Sequence, residues 1–141
     1  MSKSYIRQIL LILCLSLLGL PLISAAEFNI STCQDLNISN SIYYLNQSIL
    51  DYNTTYNCFS FSEDNITLDC QGETVQAQAP GGGSAVLLNS DSSTIQNCYF
   101  ENWDETVNIG LISNATLMNN TIYDCNQGFI DWVVGYGKEY G

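Results

Sequence analysis

SAVLLNSDSSTIQNCYFENWDE (84–105), followed by TVNIGLISNATLMNNTIYDCN (106–126), is the stretch whose reading decides the fold. Its second part repeats the first at an offset of 22 residues. Ser84, Ala85, Leu87, Thr94, Ile95, Asn97 and Phe100 are matched by Thr106, Val107, Ile109, Thr116, Leu117, Asn119 and Ile122. Self-similarity at this period, with Asn at fixed places and β-branched residues between, is the mark of a solenoid with one coil per repeat. The apolar runs 85–88, 94–100, 107–112 and 116–123 are short, as expected of strands in a coil that turns a corner every few residues. Asn97 and Asn119, matched across the repeat, are expected to stack at a corner, bonding each other and the turning backbone.

Upstream, Ile66, Leu68 and Cys70 alternate with Thr67, Asp69 and Gln71, the period of a strand with one apolar face. Gly72 permits a turn, and 74–76 offers the next strand. Thr67 and Leu68 return as Thr94 and Ile95 at an offset of 27, and the turn-rich insertion Ala79-Pro80-Gly81-Gly82-Gly83 accounts for the five additional residues. That glycine run lacks the following Lys and Ser/Thr of a phosphate-binding loop. Residues 27–62 are the least repetitive part, with apolar groups at 42–45, 49–50 and 58–61. They read as short strands that cap the first coil, since an uncovered solenoid end exposes apolar surface and strand edges. Downstream, Phe129 would match Val107 and Asp131 would match Ile109, so the register weakens. A last strand is expected at 131–134 and a flexible end at 135–141.

The first 26 residues read as a secretory leader. Lys3 and Arg7 precede an apolar run over 9–20, and Ser24-Ala25-Ala26 supplies the small residues a signal peptidase requires. Scission after Ala26 is expected; uncleaved, the leader would be the chain's one link to a membrane. Seven Asn-x-Ser/Thr sequons, at Asn29, Asn37, Asn46, Asn53, Asn65, Asn114 and Asn119, fit export and are candidate glycosylation sites. The expected location is secreted or on the cell surface.

The remaining chain, about 115 residues, suffices for one modest domain. It is strongly acidic: fourteen carboxylates against Lys138 leave a side-chain charge of −13 after the leader. No cationic cluster exists to neutralise phosphates, which argues against nucleic acid as a partner. Five cysteines follow the leader, an odd number. Cys33 and Cys58 are the favoured disulfide; Cys70, Cys98 and Cys125 read as buried thiols or an unassigned bridge, because stacked residues on parallel strands point the same way. With no His anywhere, most zinc, copper and haem sites are excluded, and no metal or cofactor is expected.

Cys-Gln-Asp-Leu (33–36), Tyr-Tyr-Leu-Asn (43–46), Cys58-Phe59 and residues 65–72, with the repeats 94–100 and 116–123, resemble a known group. They look like the opening of exported archaeal right-handed parallel β-helix repeat proteins, which include NosD-like and carbohydrate-binding/sugar-hydrolysis domains. The resemblance spans roughly 27–131 and implies an all-β fold: three short parallel sheets wound into a right-handed β-helix, with about three coils in 63–134. Members of that group are often much longer, so the chain reads as the N-terminal part of a longer protein, or as one whose open end another copy or partner covers.

Many such helices act on polysaccharides. The carboxylates Asp69, Asp91, Asp104, Glu105, Asp124 and Asp131 are the candidates for paired acid and base. Most sit in turn-like sequence, where Asp bonds its own backbone. Lyases of this kind use an Arg or Lys base, and pectin-hydrolase-like members supply His; beyond the leader this chain has neither Arg nor His and a single Lys near its end. The copper association of the NosD-like members has no His or Met-rich run to rest on. The expectation is therefore a non-enzymatic surface module with a structural, adhesive or glycan-interacting role. Tyr99, Trp103, Tyr123 and Trp132 are its candidate sugar-stacking residues, and glycans or another surface protein its partners. The alternative is the N-terminal part of a polysaccharide lyase or glycoside hydrolase whose catalytic coils lie elsewhere.

Overall fold

A computed structural model of the chain describes residues 24–53, 55–79, 83–110, 114–131 and 138–140, with the backbone alone for 129–131 and 138–140. It is a β-solenoid in which every strand pairing is parallel. The first sheet holds β1 (Ala26–Ile30), β3 (Ser41–Leu45), β6 (Ile66–Asp69), β9 (Thr94–Gln96), β12 (Thr116–Met118) and β15 (Lys138–Tyr140). The second holds β4 (Ile49–Tyr52), β7 (Thr74–Ala77), β10 (Tyr99–Glu101) and β13 (Thr121–Tyr123). The third holds β2 (Gln34–Leu36), β5 (Phe59–Phe61), β8 (Ser84–Leu88), β11 (Glu105–Ile109) and β14 (Gln127–Asp131). Within 63–134 the chain passes through first, second and third sheet three times, as β6–β8, β9–β11 and β12–β14.

The register explains which residues face inward. Alternation puts every second side chain of a short strand inside, and parallel pairing stacks it on its equivalent one coil away. In the first sheet the column is Phe28, Tyr43, Leu68, Ile95 and Leu117. In the second it is Ile49, Val75, Phe100 and Ile122. In the third, Phe59, Val86 and Val107 form one column and Leu36, Phe61, Leu88 and Ile109 the next. Leu68, Ile95, Val75, Phe100, Phe59, Val86 and Val107 are fully buried. Burial of a Val, Leu, Ile or Phe side chain is worth about 1.5–3 kcal/mol, so these columns hold the coils together.

Corners need backbone that departs from both strand and helix. Among the described residues, ten other than Gly have positive φ, and six of them are Asn, the residue that tolerates the left-handed region best after Gly. They recur by coil. Asn40, Asn65, Ser92 and Asn114 stand just before β3, β6, β9 and β12; Gln71, Asn97 and Asn119 stand just after β6, β9 and β12; Asn102 and Asp124 follow β10 and β13. Gln71 is followed by Gly72 at φ 86°, the turn expected there. Side chains join some of these corners across coils: Asn65 Nδ2 donates to Asn40 Oδ1 at 2.8 Å and Asn119 Nδ2 to Asn97 Oδ1 at 3.4 Å. The Asn ladder is thus present at two corners.

Several expectations need correction. Residues 27–62 continue the same three sheets: β3–β5 make a complete pass over β6–β8, preceded by β1 and β2. The 22-residue offset holds for β9 with β12 and β10 with β13, but β8 pairs with β11 at 21, placing Val86, not Ala85, beside Val107. Ala85 and Val86 are both apolar and both buried, so the pattern did not discriminate between the two registers. Register persists beyond Asn126, with Val107 beside Phe129 and Ile109 beside Asp131. The segment expected to be a flexible end contains β15, which pairs with β12. The leader through Ile23, Pro80–Gly82 of the insertion, and 132–134 of the last expected strand lie outside the described residues.

Four of the five cysteines beyond the leader form two disulfides. Cys33 and Cys58 form a disulfide, as expected, and so do Cys70 and Cys98, with Cα atoms 4.5 and 4.8 Å apart. The objection to stacked cysteines fails for the second pair because Cys70 and Cys98 are not equivalents on paired strands. Cys70 follows β6 directly, whereas Cys98 lies one residue beyond the corner Asn97 that follows β9. That displacement lets their side chains converge across coils. Cys125 is a free, half-buried thiol.

Candidate interaction surface

The outward face of the second sheet carries two aromatic side chains of the repeat region, Tyr99 and Tyr123. On β10 and β13, Phe100 and Ile122 point inward, so Tyr99, Glu101, Thr121 and Tyr123 point outward. Tyr99 lies beside Thr121 and Glu101 beside Tyr123, which sets the two tyrosines on a diagonal. Their ring centroids are 6.4 Å apart with the planes inclined by 32°. Thr74 and Gln76 of β7 continue the two outward columns toward β4. Tyr123 is 57 % exposed and Tyr99 half-buried. Two tilted rings, flanked by a carboxylate, a carboxamide and two hydroxyls, present apolar faces with hydrogen-bonding groups beside them.

Trp103 does not belong to this surface. It is fully buried, its Nε1 donates to the Val75 carbonyl at 2.8 Å, and its ring stands 6.0 Å from that of Tyr52. A buried indole needs a partner for its N–H, and the backbone of the second sheet supplies one. The repeat carried the signal: Asn102-Trp103 corresponds to Asp124-Cys125 at an offset of 22, a corner followed by an inward residue. Trp132 lies outside the described residues.

Three of the candidate carboxylates, Asp69, Asp104 and Glu105, are tied into the scaffold, and the Asp131 side chain lies outside the described residues. Asp69 accepts from Gln96 Nε2 at 2.8 Å, Asn97 Nδ2 at 3.0 Å and the Gln71 amide at 2.9 Å. Burial alone would raise its pKa, but these three donors together outweigh that and hold it below the ordinary carboxylate value. Asp104 accepts from Asn126 Nδ2 at 2.9 Å. Glu105 accepts from Ser84 Oγ at 2.9 Å and Asn108 Nδ2 at 2.7 Å. The Asp91 amide donates to Asp64 Oδ1 at 2.8 Å, and Asp124 is exposed at a left-handed corner. Each of these bonds except that of Glu105 to Asn108 joins a residue to its neighbour one coil away or closes a turn. Among the described residues no group of three or more His, Cys, Asp or Glu is placed to hold a metal ion.

A shallow cleft of about 400 Å³ lies near the N-terminal end, lined by Ser31, Thr32, Gln47, Ser48, Leu50 and Tyr52 among others. Sequence reasoning had no signal for it, because its walls come from two separate connections and from β4. All seven sequon asparagines are exposed. No family model, curated protein or solved structure compared with the chain matches it.

Proposed function

We propose that the chain is an exported surface module, a right-handed β-helix by its resemblance, that meets glycans or a partner protein through the outward face of its second sheet. The observation that carries this reading is the Tyr99–Tyr123 pair, held on adjacent coils by parallel register. A strand-borne pair has fixed spacing, so binding costs little ordering of the protein, the general advantage of preorganised sites. The two disulfides are compatible with an extracellular setting. Tethering of Asp69, Asp104 and Glu105 within the coils favours a scaffold role for them over acid and base chemistry. By the same resemblance, further coils in a longer protein would extend this face.

The test is a glycan array probed with the chain lacking its leader, alongside Tyr99→Ala and Tyr123→Ala. A stacked ring worth about 1 kcal/mol corresponds to roughly fivefold in affinity. Each single variant is therefore expected to weaken retention by about that factor, and the double variant to abolish it. Retention on no glycan removes the carbohydrate part of the proposal. Retention unchanged in the double variant removes the second sheet.

A further inference from the structure

The sequons are not distributed evenly around the coil. Asn29 lies on β1, in the first sheet. Asn46 and Asn119 stand where the chain leaves the first sheet for the second, after β3 and β12. Asn37, Asn65 and Asn114 stand in connections that bring the chain from the third sheet into the first, before β3, β6 and β12. Asn53 alone is elsewhere, between β4 of the second sheet and β5 of the third. Asparagine itself is spread more widely. Asn57, Asn102, Asn108 and Asn126 lie away from the first sheet, and none of them begins a sequon.

We infer that N-linked oligosaccharides coat the first-sheet side of the coil and leave the strands of the second and third sheets bare. This rests on the exported reading above and deepens it, because the Tyr99–Tyr123 face is among the bare ones. The reaction is a transfer from a lipid-linked oligosaccharide. A bond forms between Asn Nδ2 and the sugar C1, the bond from C1 to the lipid phosphate oxygen breaks, the phosphate leaves with the electron pair, and the amide gives up one proton to the transferase.

The corner geometry accommodates that product. An Asn amide carries two N–H hydrogens, and a glycosylated one keeps a single N–H. The ladder bonds from Asn65 to Asn40 and from Asn119 to Asn97 need one each. An exposed amide at a left-handed corner directs the sugar outward while its remaining hydrogen holds the coil above. At Asn53 the carbonyl oxygen accepts from both the amide and the hydroxyl of Thr55, at 3.2 and 2.9 Å, and the amide nitrogen takes no part in those two bonds.

The experiment expresses the full chain in a host with oligosaccharyl transfer and recovers the secreted protein. Enzymatic deglycosylation in ¹⁸O water then marks each occupied Asn as labelled Asp for peptide mass spectrometry. Label is expected at the sequons bordering the first sheet. Because Asn65, Asn114 and Asn119 hold left-handed corners, their sequons are removed through the hydroxyl residue, as Thr67→Val, Thr116→Val and Thr121→Val. Each is expected to lose the label at its own Asn and at no other. Secreted, leader-free protein with no label, or with label at Asn53 alone, overturns the coat and leaves the surface reading standing. A chain retained with its leader and unlabelled overturns the export reading beneath both.

Discussion

Asn97 shows how much one corner residue carries. It holds φ 55°, donates to Asp69 on the coil before and accepts from Asn119 on the coil after. Ala there meets the left-handed penalty and loses both bonds, a cost of about 1–3 kcal/mol. Gly keeps the backbone conformation and loses the bonds alone, so Asn97→Gly is expected to cost less than Asn97→Ala in urea unfolding. Equal costs would mean that the backbone conformation is not what Asn97 supplies. Asp69, its partner, gives a pH signature. Its folded pKa is depressed, so its contribution is fully present above the unfolded value, about 3.9, and is lost as pH falls through the folded value below that. Asp69→Asn is expected to flatten the fall in urea midpoint below about pH 4; an unchanged acid limb would show that the three donors do not act through this carboxylate. Asn corners were legible in the sequence because they recur with the coil. The burial of Trp103 was missed: an indole reads equally as a stacking platform or as a core ring, and only its place one residue past the corner Asn102 pointed inward.

At the scale of the element, strands of three to five residues have no stability of their own and take it from their neighbours across coils. The 27- and 22-residue offsets in the first sheet were readable because Thr67, Thr94 and Thr116 and their inward neighbours stay in phase. The third sheet was misread by one residue because adjacent apolar side chains, Ala85 and Val86, satisfied either phase. The cysteines were half legible for a related reason: spacing gives the coil but not the displacement around a corner that brings Cys70 to Cys98. Closing that 28-residue separation is worth about 3–4 kcal/mol in the chain-entropy model. Cys70→Ala with Cys98→Ala is therefore expected to lower unfolding stability by about that amount. Peptide mapping without reduction checks the pairing itself. Cys33–Cys58 and Cys70–Cys98 fragments should appear with Cys125 alkylated; a Cys98–Cys125 fragment would contradict the fold at that corner.

Across the whole molecule, three parallel sheets share one core. The first carries most of the sequons on its strands and borders, the second the tyrosine pair, and each depends on the coil-to-coil register that places these residues. That register is the central claim, and nuclear Overhauser contacts in the leader-free chain test it most directly. The account predicts contacts of Ile95 with both Leu68 and Leu117, and of Phe100 with both Val75 and Ile122, in the amide-to-Hα pattern of parallel strands. Close Hα–Hα contacts of an antiparallel ladder between these segments, or Ile95 in contact with only one of its two partners, would contradict it.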